Sequence, residues 1–520
     1  EIPEQEAWKD APARSSKIKA AIFCHVKEIF RSLETPRDER RFAEVEKALI
    51  PMVFALGRLF VSYYLARRHE RSQGAVGRFL RKGFRRRNPQ RRKIKTNFGP
   101  VIYWRTYVLL LKKGEGGTYP LDVVLGFTTD AFSLLLVSLM GRLATHMSFD
   151  QVTVILMTFL MWSPSKMSVE KAVLGLGRFT EAWFRMASPP EGDGEVLVIQ
   201  IDSKATPTAT ESELEKRRGK RRPNPFPNSP RHRGREDRSR RGSKRRRKKG
   251  DKSKNGKAAT IVVMYTLKEE RGPKGNAVLL GPINVKRYAS YAPKRHAFAI
   301  ARREANKRGF PKGCGKRIQI VTDGDNDLET YAKEYFPEAT HTLDIMHALE
   351  KLWTAGECLF PEGSPELEAW IGSIKRLLYA GEAEKIVARL RKALEEIPKT
   401  GPGNKGKRER LDHVIGYLSA RIHMMGYGAL RAQDLEIASG MAEGAVKHVI
   451  AKRFDNGSMR WIKERAEPLL QLRCIEINGD WEPFIAFVEQ TLRRKTEASL
   501  SLQTLFQAEP APLPTLGVNT

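Results

Sequence analysis

Cysteine is scarce and carries no pattern: Cys24, Cys314, Cys358 and Cys474 are the only four in 520 residues. Without a CxxC pair, or a histidine at zinc spacing, they exclude a disulfide framework, argue against a structural zinc and read as reduced intracellular thiols. Acidic residues are in deficit, 60 against 93 Lys and Arg, which leaves a net charge of +33. That excess is too large for an ordinary enzyme of small metabolites and points to a polyanion, most simply nucleic acid. Long apolar runs are missing too. The longest, Ala131 to Met140 and Val152 to Trp162, are too short to cross a bilayer and read as core helices, so no membrane span is expected. The basic runs lack an interleaved apolar face, which argues against a membrane surface. The chain opens on Glu1 with no apolar leader, so it is expected to be a fragment without its true start, cytoplasmic and nucleoid-associated. Its 41% hydrophobic content is ample for several structural units.

The first eighty residues have helical periodicity, with Ile18, Ile22, Val26 and Ile29 on one face and Val53, Leu56, Leu59, Phe60 and Tyr63 on another. Arg67 to Lys95 is basic, and Arg85, Arg86, Arg87, Arg91, Arg92 and Lys93 are candidate DNA contacts, with a solvated linker as the alternative. A β-hairpin is expected over Ile94 to Leu111, turning at Phe98-Gly99-Pro100. Three helices follow, Ala131 to Met147, Phe149 to Trp162 and Val169 to Met186. Ser148 and Gln151 form a capping box, and Ser168 is placed to cap the third helix. This spacing permits a helix-turn-helix or a purely structural subdomain.

The strongest strand, VLVIQID, runs from Val196 to Asp202. Strands at Ala258 to Leu267 and Asn284 to Ser290 and a helix at Pro293 to Arg308 come next. Between them, Lys216 to Lys257 holds 21 Lys or Arg against 3 acidic residues, a net +18 that leaves +15 for the rest of the chain. With almost no apolar residues it should be disordered. The run Ile318 to Val321 ends at Asp323-Gly324. His341 to Leu343 ends at Asp344, and His347 lies three residues on, at the start of a helix through Leu349 and Leu352. Open α/β sheets place chemistry at the carboxyl ends of strands, so two acids and an imidazole there suggest a site. Asp323-Gly324 also reads as a tight turn and Asp344 as an N-cap. Amphipathic helices then cover Pro365 to Leu378, Ala383 to Leu394 and Arg408 to Met424, before Ser439 and Gly440 open a helix whose first turn carries Glu443, a metal ligand or a capping-box glutamate.

This order of elements predicts an α/β protein with an RNase H-like core and an all-helical insertion, preceded by a mainly helical DNA-binding region. The expected boundaries are 1–95 for a helical arm and basic linker, 96–190 for a hairpin and helical DNA-binding unit, and 191–353 for the first part of the core with a basic insertion at 205–257. The helical insertion follows at 354–436, the helix of Glu443 completes the core within 437–497, and 498–520 is a tail. Asp202, Asp323 and Glu443 would converge in such a fold. Two Mg²⁺ ions, with Mn²⁺ able to substitute, need only such oxygen ligands to cut a phosphodiester, and no histidine or thiol cage.

The stretches VLVIQIDSKA, IVTDGDNDLE, FPEATHTLDIMHALEKLW and EIASGMAEGAVKHVIAKRFDNGSMRW resemble the DDE transposases of bacterial insertion sequences. The similarity is to the Kra group, akin to the Lre and Mutator-like groups, and KTNFGPVIYWRTY and YPLDVVLGF extend it. The resemblance implies a metal-binding triad of Asp202, Asp323 and Glu443, a strand-end acid and histidine at Asp344 and His347, hydrolysis at transposon ends, and transfer of the freed 3′-hydroxyl to target DNA. It implies a homodimer or larger assembly that pairs two ends. Lys447, Arg453, Arg460 and Trp461 are then candidate DNA contacts, with Trp461 and Trp353 able to stack on a base or to lie in the core. The Tyr-Arg-Glu-Lys spacing of another transposase group is lacking, so Lys447 and Lys452 take no role from it. His347 would orient the scissile phosphate or serve as a hydrogen-bonded structural residue. A nuclease without joining activity and a non-catalytic DNA-binding derivative are the rival readings.

Overall fold

A computed structural model describes residues 14–34, 40–81, 84–110, 117–127, 131–209, 256–273, 276–455 and 460–498. The chain divides into two compact units, Glu1–Trp183 with Asp480–Thr520, and Phe184–Gly479. Both mix helices with strands. The core of the basic insertion and the C-terminal tail lie outside the described residues.

In the first unit, α1 (Ser15–Leu33) lies along the 40-residue α2 (Phe42–Arg81). Ile18 and Ile22 bury against Leu59. Of the apolar face expected on α2, Leu59 is buried and Leu56 and Tyr63 are partly buried, while Val53 and Phe60 are exposed. Within α2, Phe42–Gln73 is long and apolar enough by length and composition to cross a membrane, contrary to the expectation of no such segment. Its residues Ala48 to Leu65 carry a single charge, Arg58. The expected basic linker is largely regular structure, the end of α2, β1 (Phe84–Arg86) and β2 (Gln90–Thr96). β2 pairs with β3 (Gly99–Arg105) as a hairpin that starts four residues earlier than its periodicity suggested and turns at Asn97-Phe98. β1 pairs with β4 (Val108–Leu110), which pairs with β5 (Gly117–Thr118).

After α3 (Pro120–Val124) come α4 (Leu134–His146), α5 (Phe149–Leu160) and α6 (Lys166–Leu176). The capping box at Ser148 and Gln151 is formed. The cap of α6 is Ser165, whose hydroxyl accepts from the Ser168 N–H, so Ser168 is the capped residue rather than the cap. The last helix, Trp481–Ala498, belongs with this unit and not with the core it was expected to complete: the Trp481 indole donates to Ser138 on α4 at 3.0 Å.

The second unit is built on a five-stranded sheet in the order β10-β9-β6-β7-β8. Its strands are β6 (Val196–Pro207), β7 (Gly256–Arg271), β8 (Ala277–Ser290), β9 (Arg317–Thr322) and β10 (Thr340–Leu343). β7 is antiparallel to both β6 and β8, whereas β9 is parallel to both β6 and β10. The long β6–β7 hairpin carries strand through Pro207 and from Gly256, so the insertion begins and ends inside the 205–257 expected for it. One sheet face buries Leu197, Ile199, Ile201, Ile318 and Ile320 under α7 (Lys294–Lys307) and α8 (Asn326–Tyr335). After β10 the chain is helical: α9 (Ile345–Leu359), α10 (Pro365–Ala380), α11 (Ala383–Glu396), α12 (Asn404–Ser419) and α13 (Tyr427–Ala432). The short α14 (Gly440–Ala445) continues as a π-helix, Val446–Ala451, and α15 is Lys463–Ile477.

Candidate active site

Pairing register assembles the site. Ile201 lies beside Thr322, and Thr322 beside Leu343. The next residue on each of these parallel strands is an aspartate, so Asp202, Asp323 and Asp344 stand level at one sheet edge. The bend after β9 needs Gly324, whose φ is +76° and where an added Cβ would sit 2.2 Å from the Tyr417 hydroxyl. That hydroxyl, from α12, donates to the Asp323 carbonyl at 2.9 Å, and burial raises its pKa to about 12. Tyr427 at the start of α13 donates to the Leu343 carbonyl at 2.9 Å. The helical insertion is thus bolted to the backbone of both strand ends.

The three carboxylates have different surroundings. Asp202 accepts from its neighbour, the Ser203 N–H, at 2.6 Å. Burial raises its pKa, and the charges of Asp323 and Asp344 add to the rise against the opposing pull of Ser203 and His347. Asp323 accepts from the Asp325 N–H at 2.9 Å, the turn that its Asp-Gly pair suggested. Among the described residues neither Asp202 nor Asp323 pairs with a lysine or arginine, whereas Asp325, two positions on, is held by Lys294 at 2.7 Å. Asp344 is both N-cap and site residue. It accepts from the Met346 N–H at 2.8 Å, from the Ser439 hydroxyl and from His347 Nδ1 at 3.3 Å. Burial alone would raise its pKa, but those hydrogen bonds outweigh it and the net shift is downward. The hydrogen bond to Asp344 raises the pKa of His347 in turn, and with Nδ1 so engaged Nε2 is the nitrogen left for other work.

Glu443 arrives by a route that periodicity does not reveal. Two buried glutamines on the aspartate face of the sheet hold the segment that leads to it. Gln319 Nε2 donates to the Glu436 carbonyl at 2.6 Å and its Oε1 accepts from the Glu436 N–H at 3.0 Å. Gln200 Nε2 donates to the Ala438 carbonyl at 3.2 Å, and its Oε1 accepts from the Ala442 N–H at 3.0 Å. The Ile345 N–H donates to the Ile437 carbonyl at 2.9 Å. These bonds fix α14 beside β6, yet the Glu443 carboxylate is 63% exposed and pairs with Lys447 at 2.7 Å. No capping box forms there, because the Ser439 hydroxyl is spent on Asp344. Among the described residues no three His, Cys, Asp or Glu side chains are already gathered as a metal cage.

The π-helix after Glu443 leaves carbonyls without their usual partners, and buried Arg473 of α15 serves them, donating from Nε to Val449 at 2.9 Å and to His448 at 3.2 Å.

Several expected DNA contacts are corrected. Arg453 is only 2% exposed, with its guanidinium 4.7 Å from the centre of the Trp461 ring, and burial then Arg473 lower its pKa to about 10. Trp461 is buried against Phe454 and cannot stack on a base. Arg92 turns inward on β2 and pairs with buried Asp122 at 2.8 Å. Strand alternation leaves Arg91 and Lys93 exposed, and Arg85, Arg86, Arg87, Lys447 and Arg460 are exposed as well. Trp353 on α9 is also partly exposed. The chain matches no protein-family model and no curated protein sequence.

Proposed function

We propose that the chain is a Mg²⁺-dependent DNA-cutting and strand-joining enzyme of the DDE type, a transposase with an RNase H-like core. The single observation that carries this reading is the level row of Asp202, Asp323 and Asp344 on three neighbouring parallel strands, in a sheet whose other two strands run as an antiparallel meander. That strand order is what an RNase H-like core requires, and the helix of Glu443 docks on the central strand, β6, as its third ligand should.

The donor set fits magnesium. Asp202 and Asp323 are hard oxygen donors without a cation, and Mg²⁺ is commonly held by one or two carboxylates together with substrate phosphates. Glu443 would join them by leaving Lys447, an exposed pair of roughly 0–1 kcal/mol that gives way readily. When bound, the ions supply a nucleophile at neutral pH and neutralise charge on the phosphodiester. The chain's own residues do the rest. Asp344 holds the His347 ring in place, His347 presents Nε2 as a hydrogen-bonding group for a phosphate or water, and Tyr417 and Gly324 fix the bend that carries Asp323.

The deciding experiment is nicking of labelled DNA that carries the ends flanking the source element, in Mg²⁺, with wild type beside Asp323→Asn. Nicking by wild type and its loss by roughly 10³-fold in a variant that still binds DNA is the expected result. Transfer of a labelled end to plasmid DNA separates a transposase from a nuclease. The exposed Glu443–Lys447 pair favours a second reading, a DNA-binding derivative that no longer cuts, and binding without nicking in Mg²⁺ or Mn²⁺ would establish it.

A further inference from the structure

The helical insertion carries a basic groove of its own. It is open, about 460 Å³ in volume, and lined by Gly372, Lys375, Arg376, Tyr379 and Ala380 of α10 with Arg431 of α13. The α10 residues recur three or four apart, so they form one stripe about 12 Å long. Arg431 reaches across from α13, its guanidinium 5.4 Å from the centre of the Tyr379 ring. No carboxylate lines the groove, and among the described residues none of the three cations has an acidic partner.

The backbone is shaped to make this groove. Gly428 allows α13 to approach α10 closely, since a Cβ there would lie 2.4 Å from the Ala380 carbonyl oxygen, and this contact sets Arg431 beside Tyr379. One helical turn before Arg431, Tyr427 is tied to the end of β10, so the groove is joined to the acidic sheet edge through a single short helix. Gly372 has no such packing reason. It lies inside α10, where glycine costs about 1 kcal/mol relative to alanine, and a Cβ built on it meets nothing within 4 Å. Its missing side chain leaves the floor of the groove open.

We propose that this groove binds a single strand of DNA, with phosphates on Lys375, Arg376 and Arg431 and a base or sugar against Tyr379. The inference rests on the DNA-processing reading for its ligand class and goes beyond it in naming a binding site on the helical insertion. The groove is open and shallow, so its cations and ring can be reached by an extended strand with an unpaired base. An aromatic face set among spaced cations is how single strands are held without regard to sequence, whereas a carboxylate ligand has no use for the ring.

The test uses the full chain and a short fluorescein-labelled single-stranded oligonucleotide, titrated over a range of salt. Gly372→Glu places a negative charge in open space on a helix that gains in propensity, and it is expected to weaken binding about tenfold where Gly372→Ala does not. Replacing Lys375, Arg376 and Arg431 together by alanine should reduce the slope of log K against log salt by about 2, at roughly 0.7 per phosphate contact on a single strand. An oligonucleotide carrying 5-iodouracil should form a photo-adduct on Tyr379. Wild-type affinity and slope in both charge variants, with no adduct on α10, would overturn the assignment. Equal displacement of the oligonucleotide by poly-glutamate would replace it with an acidic protein ligand. If wild type nicks element ends while the groove variants bind as it does, the groove assignment falls alone; if wild type binds no DNA, both readings fall.

Discussion

Two buried or half-buried acidic sites, one in each unit, are built in opposite ways. In the first unit Asp122 lies 8% exposed among the guanidinia of Arg92 and Arg105 and the hydroxyl of Tyr103, which donates to it at 2.6 Å. In the second unit Asp202 and Asp323 stand level with a third carboxylate and, among the described residues, pair with no lysine or arginine. A carboxylate that serves folding is matched by donors, because a lone buried charge is expensive. Burial, and then the neighbouring carboxylates, raise the pKa of Asp202, an arrangement that a cation from outside would relieve. The contrast separates an acid neutralised inside the fold from acids left without a basic partner among the described residues.

The sharpest test of that contrast is stability. Asp122→Ala strands two arginines and should cost about 3–5 kcal/mol in denaturant unfolding of the full chain. Asp202→Ala removes like-charge repulsion and should change stability by less than about 1 kcal/mol in either direction. Similar losses in the two variants would break the comparison. Gly324→Ala should cost about 1–3 kcal/mol, from its positive φ and the clash with Tyr417. Combining it with Tyr417→Phe should recover part of this loss, measured as a coupling energy in a double-mutant cycle.

A cation should discriminate between the sites. At ten times its Kd, Mg²⁺ should stabilise wild type by about 1.4 kcal/mol, leave Asp323→Asn nearly unmoved, and act on Asp122→Asn as on wild type. The smallest effect is one of pH. The hydrogen bond that His347 donates to Asp344 raises the folded pKa of His347, so its contribution is full below the ordinary imidazole value of about 6.5 and is lost as pH rises through the folded value. Burial lowers the folded pKa of His69 in the first unit, so its contribution is full above about 6.5 and is lost as pH falls through the folded value. The stability difference between wild type and His347→Asn should therefore shrink on alkalinisation, and that for His69→Asn on acidification.

Much of the second unit was legible because apolar runs that stop at an aspartate carry their own end-markers. VLVIQID and RIQIVTD announce both the strand and the acid. The same runs hide Gln200 and Gln319, because a polar residue inside a strand names no partner, and theirs lie on a segment that returns more than a hundred residues later. Ser439 read as a helix cap, and only the fold shows that its hydroxyl belongs to Asp344. Charge misled in two places. Arg92 and Arg453 sit in basic runs, yet Asp122 draws one inward and the Trp461 ring covers the other. In α2 the single Arg58 interrupts an apolar stretch that an uninterrupted-run criterion passes over, although the helix stays apolar on either side of it. No local pattern assigns the last helix to the first unit, since its partner Ser138 lies 343 residues away from Trp481.

The glutamine clasp on the sheet also imposes an order on synthesis. Gln200 and Ala442 are 242 residues apart, an interval that a ribosome adding about 5–20 residues per second takes roughly 12–50 seconds to cover. The row of aspartates is complete only at Asp344, 99 residues before Glu443, so a polypeptide released between those two positions carries the acidic edge without the helix that the clasp holds. Translation to beyond residue 443 is the condition for the clasp to bring the Glu443 helix to the sheet.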